Sequence, residues 1–240
     1  CFKYPNADEY VLKNISFKAN KGETIAFIGS TGSGKSTLID LVPRFYDATE
    51  GEVLVDGVDV KNYKLEDLYN IVGYVAQRSV LFTGTINENV GFGESKKGKP
   101  SQEEIQLAIK QAQAKDFVEK MPDGYDSHIS QGGKNVSGGQ KQRLSIARAF
   151  ARKSEILIFD DSFSALDYKT DKALRRTINK ELKGTTCLIV AQRIGTIKNA
   201  DKIIVLDNGN MVGIGKHEEL LKNCPVYKEI ALSQLSKEEL

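Results

Sequence analysis

The stretch Gly29-Ser30-Thr31-Gly32-Ser33-Gly34-Lys35-Ser36 decides how the rest of this chain is interpreted. A glycine, four residues and then Gly-Lys-Ser is the spacing of a phosphate-binding loop. The apolar run from Thr24 to Ile28 predicts a buried strand before the loop. Residues Ser36 to Val42 predict a short helix after it, which Pro43 stops. Strand, glycine-rich loop and helix are the context in which this spacing binds phosphate.

The residue types of the loop explain its predicted chemistry. Glycines let the backbone turn so that successive N–H groups face phosphate oxygens, and the helix N-terminus adds its positive end. Lys35 supplies a cation for the β- and γ-phosphates, and Ser36 supplies a hydroxyl ligand for Mg²⁺. The predicted nucleotide-binding residues here are Gly29, Ser30, Thr31, Gly32, Ser33, Gly34, Lys35, Ser36 and Thr37.

The composition of the 240-residue chain narrows the class of protein. Its net charge of +2 gives no argument for a nucleic-acid surface, and 28% charged residues suit a soluble globular protein. Three dispersed cysteines predict a reducing compartment and neither a disulfide framework nor a zinc site. No apolar run approaches the ~20 residues that span a bilayer. Because the chain starts abruptly at Cys1, we expect a piece of a longer protein.

Strands interleaved with helices predict an α/β fold with a mostly parallel sheet. Alternating side chains predict a half-exposed strand over 11–19, and two Asp-Gly or Asn-Gly turns, at 56–57 and 208–209, predict antiparallel hairpins. We expect a single domain, 1–240, with a core of 1–77 and 152–240. An all-helical subdomain, 78–151, is inserted in that core. Within it we predict a flexible basic loop over 91–100 and a helix from Ser101 to about Lys120.

Two further stretches carry candidate chemistry. An apolar strand, Ile156 to Phe159, ends in Asp160 and Asp161, and a carboxylate at such a strand end helps hold Mg²⁺ in phosphate-loop NTPases. A helix begins at Ser137-Gly138-Gly139-Gln140, where free N–H groups, a hydroxyl and a dipole end could bind a second anion. Since one ATP needs one phosphate loop, this second site suggests a second ATP shared across a dimer.

Together these motifs resemble the ATP-binding domain of an ABC transporter of the exporter type. The resemblance rests on the phosphate loop, Gln77 after its strand, residues 137–140, Asp160-Asp161 and Ser164-Ala165-Leu166-Asp167, in the family's order and rough spacing. It covers nearly the whole chain. It implies a P-loop NTPase (RecA-like) core with an antiparallel β subdomain, and ATP and Mg²⁺ as cofactors.

The resemblance also implies roles for single residues. Tyr4 resembles the aromatic that stacks on adenine, although packing on the N-terminal strand is the alternative. Gln77 resembles the glutamine that reaches Mg²⁺ and the attacking water, so Ser36, Gln77 and Asp160 are the predicted metal ligands. Ser137, Gly138, Gly139 and Gln140 would contact the nucleotide of the other subunit. Asp167 would lie at the dimer interface.

Two residues depart from the family pattern. The catalytic carboxylate is normally glutamate, but Asp161 is one methylene, about 1.5 Å, shorter. The switch histidine is replaced by Gln192, which cannot carry positive charge. Displacing the catalytic carboxylate by about 1.5 Å, as the shorter Asp161 would, can lower the rate of hydrolysis ~10²-fold. The predicted catalytic residues are Asp161, Gln77 and Gln192, and we therefore predict a weakened ATP site in this chain. The signature stretch, Ser137-Gly138-Gly139-Gln140, is intact and would serve the ATP site of a partner.

The predicted protein is the ATP-binding half of a heterodimeric exporter of the multidrug type, at the cytoplasmic face of the plasma membrane. Its predicted partners are a second ABC ATP-binding domain, arranged head to tail, and a transmembrane domain outside these residues, with no nucleic acid. A slow homodimeric exporter ATPase is one alternative. A soluble ABC ATPase of DNA repair or translation is another.

Overall fold

The computed structural model describes residues 1–93 and 98–235. Residues 94–97 of the predicted basic loop, 91–100, lie outside the described residues, as do residues 236–240 of the predicted domain. The chain divides into two compact units. The first unit comprises Cys1–Val72 and Thr186–Leu240, and the second comprises Gly73–Thr185. The subdomain boundaries expected from the sequence, at 77 and 152, stay a prediction.

The elements follow the interleaved order that the sequence predicts. The strands are β1 Thr24–Gly29, β2 Leu54–Val55, β3 Val58–Asp59, β4 Val72–Val75, β5 Gly84–Thr85, β6 His128–Ile129, β7 Ile156–Asp160, β8 Thr186–Val190, β9 Lys202–Asp207 and β10 Asn210–Gly215. The α-helices are α1 Lys35–Asp40, α2 Leu65–Ile71, α3 Ile86–Val90, α4 Gln102–Gln111, α5 Lys115–Val118, α6 Gly138–Ala151, α7 Tyr168–Glu181, α8 Ile194–Ile197, α9 His217–Asn223 and α10 Pro225–Gln234.

The first unit is built on a mixed, mostly parallel sheet in the order β10-β9-β1-β8. Strand β1 is parallel to both β8 and β9, and β10 is antiparallel to β9. Ile25, Ala26 and Phe27 of β1 are completely buried, which agrees with the unbroken apolar run of a strand that is covered on both faces. The predicted α/β class is confirmed.

The second unit places strands β4 and β7 side by side and packs helices α3, α4 and α6 against one another. The predicted apolar stripe of α6, Leu144, Ala147 and Phe150, is buried in this core. Its helical part, 78–151, also contains a two-stranded antiparallel sheet, β5 with β6. These strands have two residues each, too short to produce an alternating pattern in the sequence.

Both predicted hairpin turns are present in the first unit. Asp56 and Gly57 have φ angles of 49° and 78°, and Asn208 and Gly209 have φ angles of 47° and 78°. Two successive positive φ angles are those of a type I′ turn, for which Asp-Gly and Asn-Gly are favoured. The local sequence alone therefore determines these two chain reversals.

The predicted strand over 11–19 is wrong for most of its length. Leu12 bridges Phe2 and Lys13 bridges Asn210, but no ladder follows. The burial of the side chains nevertheless alternates as predicted. Phe17 is half-buried, and its ring centroid lies 5.5 Å from that of Phe27. Alternation identifies a face that packs, but it cannot supply the neighbouring strand that a ladder requires.

The predicted continuous helix from Ser101 to Lys120 is interrupted. The Ser101 capping box is present, but α4 ends at Gln111 and a separate helix, α5, starts at Lys115. Between them Gln113 adopts a left-handed φ of 59°, and its carbonyl oxygen accepts a 2.7 Å hydrogen bond from Arg143 Nη1. A contact with a distant helix thus stabilises a break that helix propensity does not predict.

None of the helices within residues 1–93 and 98–235 is long and apolar enough to cross a membrane.

Candidate nucleotide-binding site

The glycine-rich loop joins β1 to α1 in the first unit and encloses the ammonium group of Lys35. Lys35 Nζ donates to the carbonyl oxygens of Gly29, at 2.9 Å, and Ser30, at 2.7 Å. It also approaches Ser33 Oγ at 3.3 Å. The side chain of Lys35 is buried, whereas Ser36 is exposed at the start of the helix. The ammonium group is held by neutral carbonyl and hydroxyl oxygens. A bound phosphate, which carries full negative charge, could replace these oxygens as its partner.

The entrance of the loop has no space for a side chain. A Cβ added to Gly29 would lie 2.0 Å from the carbonyl oxygen of Leu206 on β9. The glycine is therefore required where the loop leaves the sheet. The outer part of the loop, Ser30 to Gly32, is exposed and accessible to a ligand.

Tyr4 is hydrogen-bonded to helix α1, which follows this loop. Its hydroxyl group shares a 2.8 Å hydrogen bond with Thr37 Oγ1. Its ring meets the rings of Phe2 and Tyr46 edge to face, with centroids 4.9 Å and 5.2 Å away. Tyr4 also lines an open cavity of about 500 Å³ in the first unit, next to residues 5–8. The structure thus brings together two predicted ligands of one nucleotide, Tyr4 and Thr37.

The predicted carboxylates end strand β7 in the second unit. Asp160 is 9% exposed, and its Oδ2 accepts a 3.2 Å hydrogen bond from the hydroxyl of Tyr74 on the neighbouring strand β4. Asp161 is 7% exposed and accepts a 3.1 Å bond from Gln77 Nε2 at its own Oδ2. The structure therefore places Gln77 in contact with the predicted catalytic carboxylate. Sequence reasoning missed Tyr74, whose strand-end position next to β7 could be recognised only once the strand order was known.

A tight turn fixes the backbone of Asp161. Its φ angle is 45°, a left-handed conformation that aspartate tolerates better than most residues. Its carbonyl oxygen accepts bonds from the backbone and the hydroxyl of Ser164, at 3.2 and 2.7 Å. Ser162 Oγ donates to the carbonyl of Val75 over 2.8 Å. These bonds tie the turn to the end of β4.

The stretch Ser137 to Gln140 begins helix α6 with a capping box. Ser137 Oγ accepts from the Gln140 backbone at 3.3 Å, and Gln140 Oε1 accepts from the Ser137 backbone at 2.8 Å. Ser137 and Gly138 are exposed. Among residues 1–93 and 98–235, a Cβ on Gly138 would meet nothing within 4 Å beyond its chain neighbours and its own helix backbone, so steric crowding there does not require a glycine.

Asp167 caps helix α7. Its carboxylate accepts bonds from the hydroxyl and the backbone N–H of Thr170, at 2.7 and 2.9 Å, and these bonds lower the pKa of Asp167. Gln192 is exposed in the first unit, two residues after Val190 of β8, which pairs with Phe27 of the strand that leads into the phosphate loop. Of the predicted metal ligands, Ser36 belongs to the first unit, and Gln77 and Asp160 belong to the second.

Comparison with known proteins agrees with these motifs. The sequence profile of the family described as "ABC transporter" matches residues 12–164. The chain belongs to the ABC transporter family. As an ATP-binding domain of that family it binds ATP, and its family is one of ATPases. It is 48% identical, over 233 residues, to an uncharacterized ABC transporter ATP-binding protein of Mycobacterium tuberculosis, with 97% of this chain and 40% of that protein covered.

Exporters are among the similar proteins. The Bacillus subtilis protein YgaD, provisionally named a multidrug export ATP-binding/permease protein, is 43% identical over 229 residues, covering 95% of this chain and 39% of YgaD. The solved structure of a bacterial Atm1-family ABC exporter with ATP bound superposes with a TM-score of 0.92 at 36% identity, covering 98% of this chain and 41% of the exporter. The ABC chain described here therefore spans about two fifths of the length of these relatives.

The residues of this ABC domain fit ATP and Mg²⁺ by donor chemistry. The loop supplies a buried ammonium, that of Lys35, held by the carbonyl oxygens of Gly29 and Ser30. Ser36 and Asp160 supply hydroxyl and carboxylate oxygens, the hard ligands that Mg²⁺ prefers. Bound Mg²⁺ would neutralise charge on the β- and γ-phosphates during phosphoryl transfer.

Proposed function

We propose that this chain is the ATP-binding domain of an exporter that couples ATP binding and hydrolysis to transport across a membrane. The observation that carries the proposal is the enclosure of Lys35 Nζ by the Gly29 and Ser30 carbonyls, in a chain whose relatives include named exporters. The membrane-spanning part would lie outside these residues, and this domain would act at the cytoplasmic face of the plasma membrane.

The proposed roles follow the motif positions. Residues 29–37 would bind the phosphates, and Tyr4 would stack on the base. Ser36, Gln77 and Asp160 would hold Mg²⁺. The open cavity beside Tyr4 and its bond to Thr37 support the base-stacking role, because they place an aromatic ring next to the phosphate-binding helix.

We also propose that the ATP site formed by this chain's own loop hydrolyses ATP slowly. Asp161 has a short side chain whose Oδ2 accepts a bond from Gln77, and Gln192 cannot become cationic. General-base catalysis needs a carboxylate within hydrogen-bond reach of the attacking water. A shorter carboxylate that already bonds Gln77 meets that requirement poorly.

The signature stretch points to a different role for the same chain. Ser137 and Gly138 are exposed, and a Cβ at 138 would meet nothing within 4 Å in the part of the chain that the structure describes. A glycine without an internal reason is expected where another molecule approaches closely. We therefore propose that Ser137, Gly138, Gly139 and Gln140 complete the ATP site of a second, different ABC domain in a head-to-tail heterodimer.

The relative cost of two substitutions tests this arrangement in the full-length, assembled transporter. Ser137→Ala should lower ATP hydrolysis more than Asp161→Asn, because the partner's site would carry most of the turnover. Lys35→Ala serves as the control that removes nucleotide binding at this chain's own loop. The reverse order of the two effects would place the main catalytic site here, and copurification with identical chains alone would indicate a slow homodimer.

A further inference from the structure

The loop that carries Gln192 is held by one side chain from the C-terminal helix. Gln234, the last residue of α10, donates from Nε2 to the carbonyl oxygen of Gln192 over 2.7 Å. Its Oε1 accepts from the backbone N–H of Ile194 over 2.8 Å. These two bonds fix the backbone on both sides of Arg193. Both partners lie in the first unit.

The spacing of α10 explains how Gln234 reaches this loop. Tyr227, Ala231 and Gln234 follow one another at i, i+4 and i+7, so they share one face of the helix. Tyr227 and Ala231 are completely buried, and the Tyr227 hydroxyl lies 2.7 Å from His217 Nδ1. The buried residues thus anchor the helix, and the polar residue next along the same face meets the loop.

An amide is suited to this contact by its chemistry. The side chain of Gln234 offers a donor and an acceptor on one rigid planar group, as a peptide unit does. The loop offers the complementary pair, the carbonyl of Gln192 and the N–H of Ile194. A leucine of similar length can do neither, and a glutamate can accept but not donate.

We propose that Gln234 is a positioning residue that holds the Gln192 loop in the conformation needed for ATP hydrolysis. The proposal rests on the proposed function, in which Gln192 contributes to this chain's own ATP site. Because α8 begins directly after the loop and its residues Ile194 and Ile197 are buried, the loop is already fixed on its C-terminal side. Gln234 adds the restraint at Gln192 itself.

The test compares Gln234→Leu, Gln234→Glu and the control Ser233→Ala in the full-length protein. Ser233 Oγ donates to the Ile230 carbonyl of its own helix turn and takes no part in the bonds to Gln192 and Ile194, so its loss leaves the loop contacts in place. Two quantities are measured: hydrogen exchange of the Ile194 amide, and ATP turnover in a Ser137→Ala background. That background silences the partner's site, so the remaining turnover reports this chain's own site.

Gln234→Leu should speed exchange at Ile194 by roughly 10-fold, as expected for the loss of one hydrogen bond. It should lower kcat by roughly 10-fold, because a misplaced group far from the chemistry can cost up to ~10²-fold. The KM for ATP should change less than about 2-fold, since loop 29–37 is untouched and uniform binding is retained. Gln234→Glu should keep Ile194 protected but still lower kcat, and Ser233→Ala should change neither.

The proposal would be overturned if Gln234→Leu had the same Ile194 exchange rate and the same kcat as the wild-type protein. A parallel loss of kcat, ATP affinity and thermal stability would also overturn it, because it would assign Gln234 a merely structural role. Absence of ATP binding and turnover in the wild-type transporter would instead overturn the proposed function itself. Exchange at Ile194 is measured independently of activity, so the two failures are distinguishable.

Discussion

The side-chain amide of Gln77 donates a 3.1 Å hydrogen bond to Oδ2 of Asp161. The two residues that would bind and activate the attacking water are therefore bonded to each other. A carboxylate oxygen that accepts from an amide has one lone pair fewer for the proton of a water molecule. The short side chain of Asp161 keeps that oxygen close to its own strand end. This relationship is the physical basis of the proposal that this site hydrolyses ATP slowly.

Restoring the family's residues should raise turnover. We expect Asp161→Glu combined with Gln192→His to increase ATP hydrolysis at this site by roughly 10-fold or more, since a correctly placed general base contributes 10²–10⁴-fold. The φ angle of 45° at residue 161 should make the longer glutamate less well tolerated, lowering stability by about 1 kcal/mol. Steady-state ATPase assays and thermal unfolding measure both effects.

Asp161→Asn is the matched control for this experiment, since it keeps the length of the side chain and removes the base. A wild-type chain that is already fast, with a double variant no faster, would contradict the proposed weak site. An equal gain in the Asn variant would show that the base is not the limiting group.

The signature glycine offers a test that separates folding from function. Gly138→Ala should leave the fold intact, because the added Cβ meets nothing within 4 Å among the residues that the structure describes. It should stabilise the first turn of α6 by up to about 1 kcal/mol, because alanine is the better helix former. ATP hydrolysis by the assembled transporter should fall at least ~10-fold if a partner's nucleotide approaches this position.

Gly139→Ala is the contrasting variant, because its Cβ would lie 3.2 Å from the Ala165 carbonyl oxygen and disturb the chain itself. Unfolding temperatures and ATPase rates of both variants distinguish the two causes. Full activity in Gly138→Ala would contradict close approach of a ligand or partner at the start of α6.

The sequence predicts those parts of the structure that are determined locally. Strand β1, the loop and the Asp56-Gly57 turn depend on residue type within a few positions, and each appears where it is predicted. The break in the helix at Gln113 could not be predicted from nearby residues, because Arg143, 30 positions away, donates a hydrogen bond to the Gln113 carbonyl. For the same reason the contact of Gln234 with Gln192 is invisible in the sequence: helix periodicity gives the face of α10 but not what that face meets.

Tyr4 allows its two interpretations to be separated. If it stacks on the base, Tyr4→Ala should weaken ATP binding by roughly 5- to 150-fold, equivalent to about 1–3 kcal/mol per stacked base. Tyr4→Phe keeps the ring and loses only the bond to Thr37, so it should retain affinity within a few-fold. Calorimetric titration with Mg-ATP measures both. A lower unfolding temperature in Tyr4→Ala with unchanged affinity would favour the packing role.

Glu23 makes the stability of the first unit sensitive to acid. Bonds from the Asn20 backbone and from the Lys202 ammonium, each 2.8 Å long, lower the pKa of Glu23 to about 2, from 4.5. A depressed folded-state pKa means that this stabilisation is complete above pH 4.5 and is lost as the pH falls through about 2. By accepting these two bonds, the Glu23 carboxylate stabilises the turn that leads into β1.

Glu23→Gln should therefore destabilise the chain by about 1 kcal/mol at pH 7, the magnitude of a partly exposed charged hydrogen bond. The difference from wild type should shrink as the pH is lowered from 4.5 towards 2, because the wild-type carboxyl then becomes neutral as well. Urea unfolding at a series of pH values measures it, with the exposed Glu52→Gln as the control for charge. A difference that stays constant over this range would mean that Glu23 stabilises the turn without its charge.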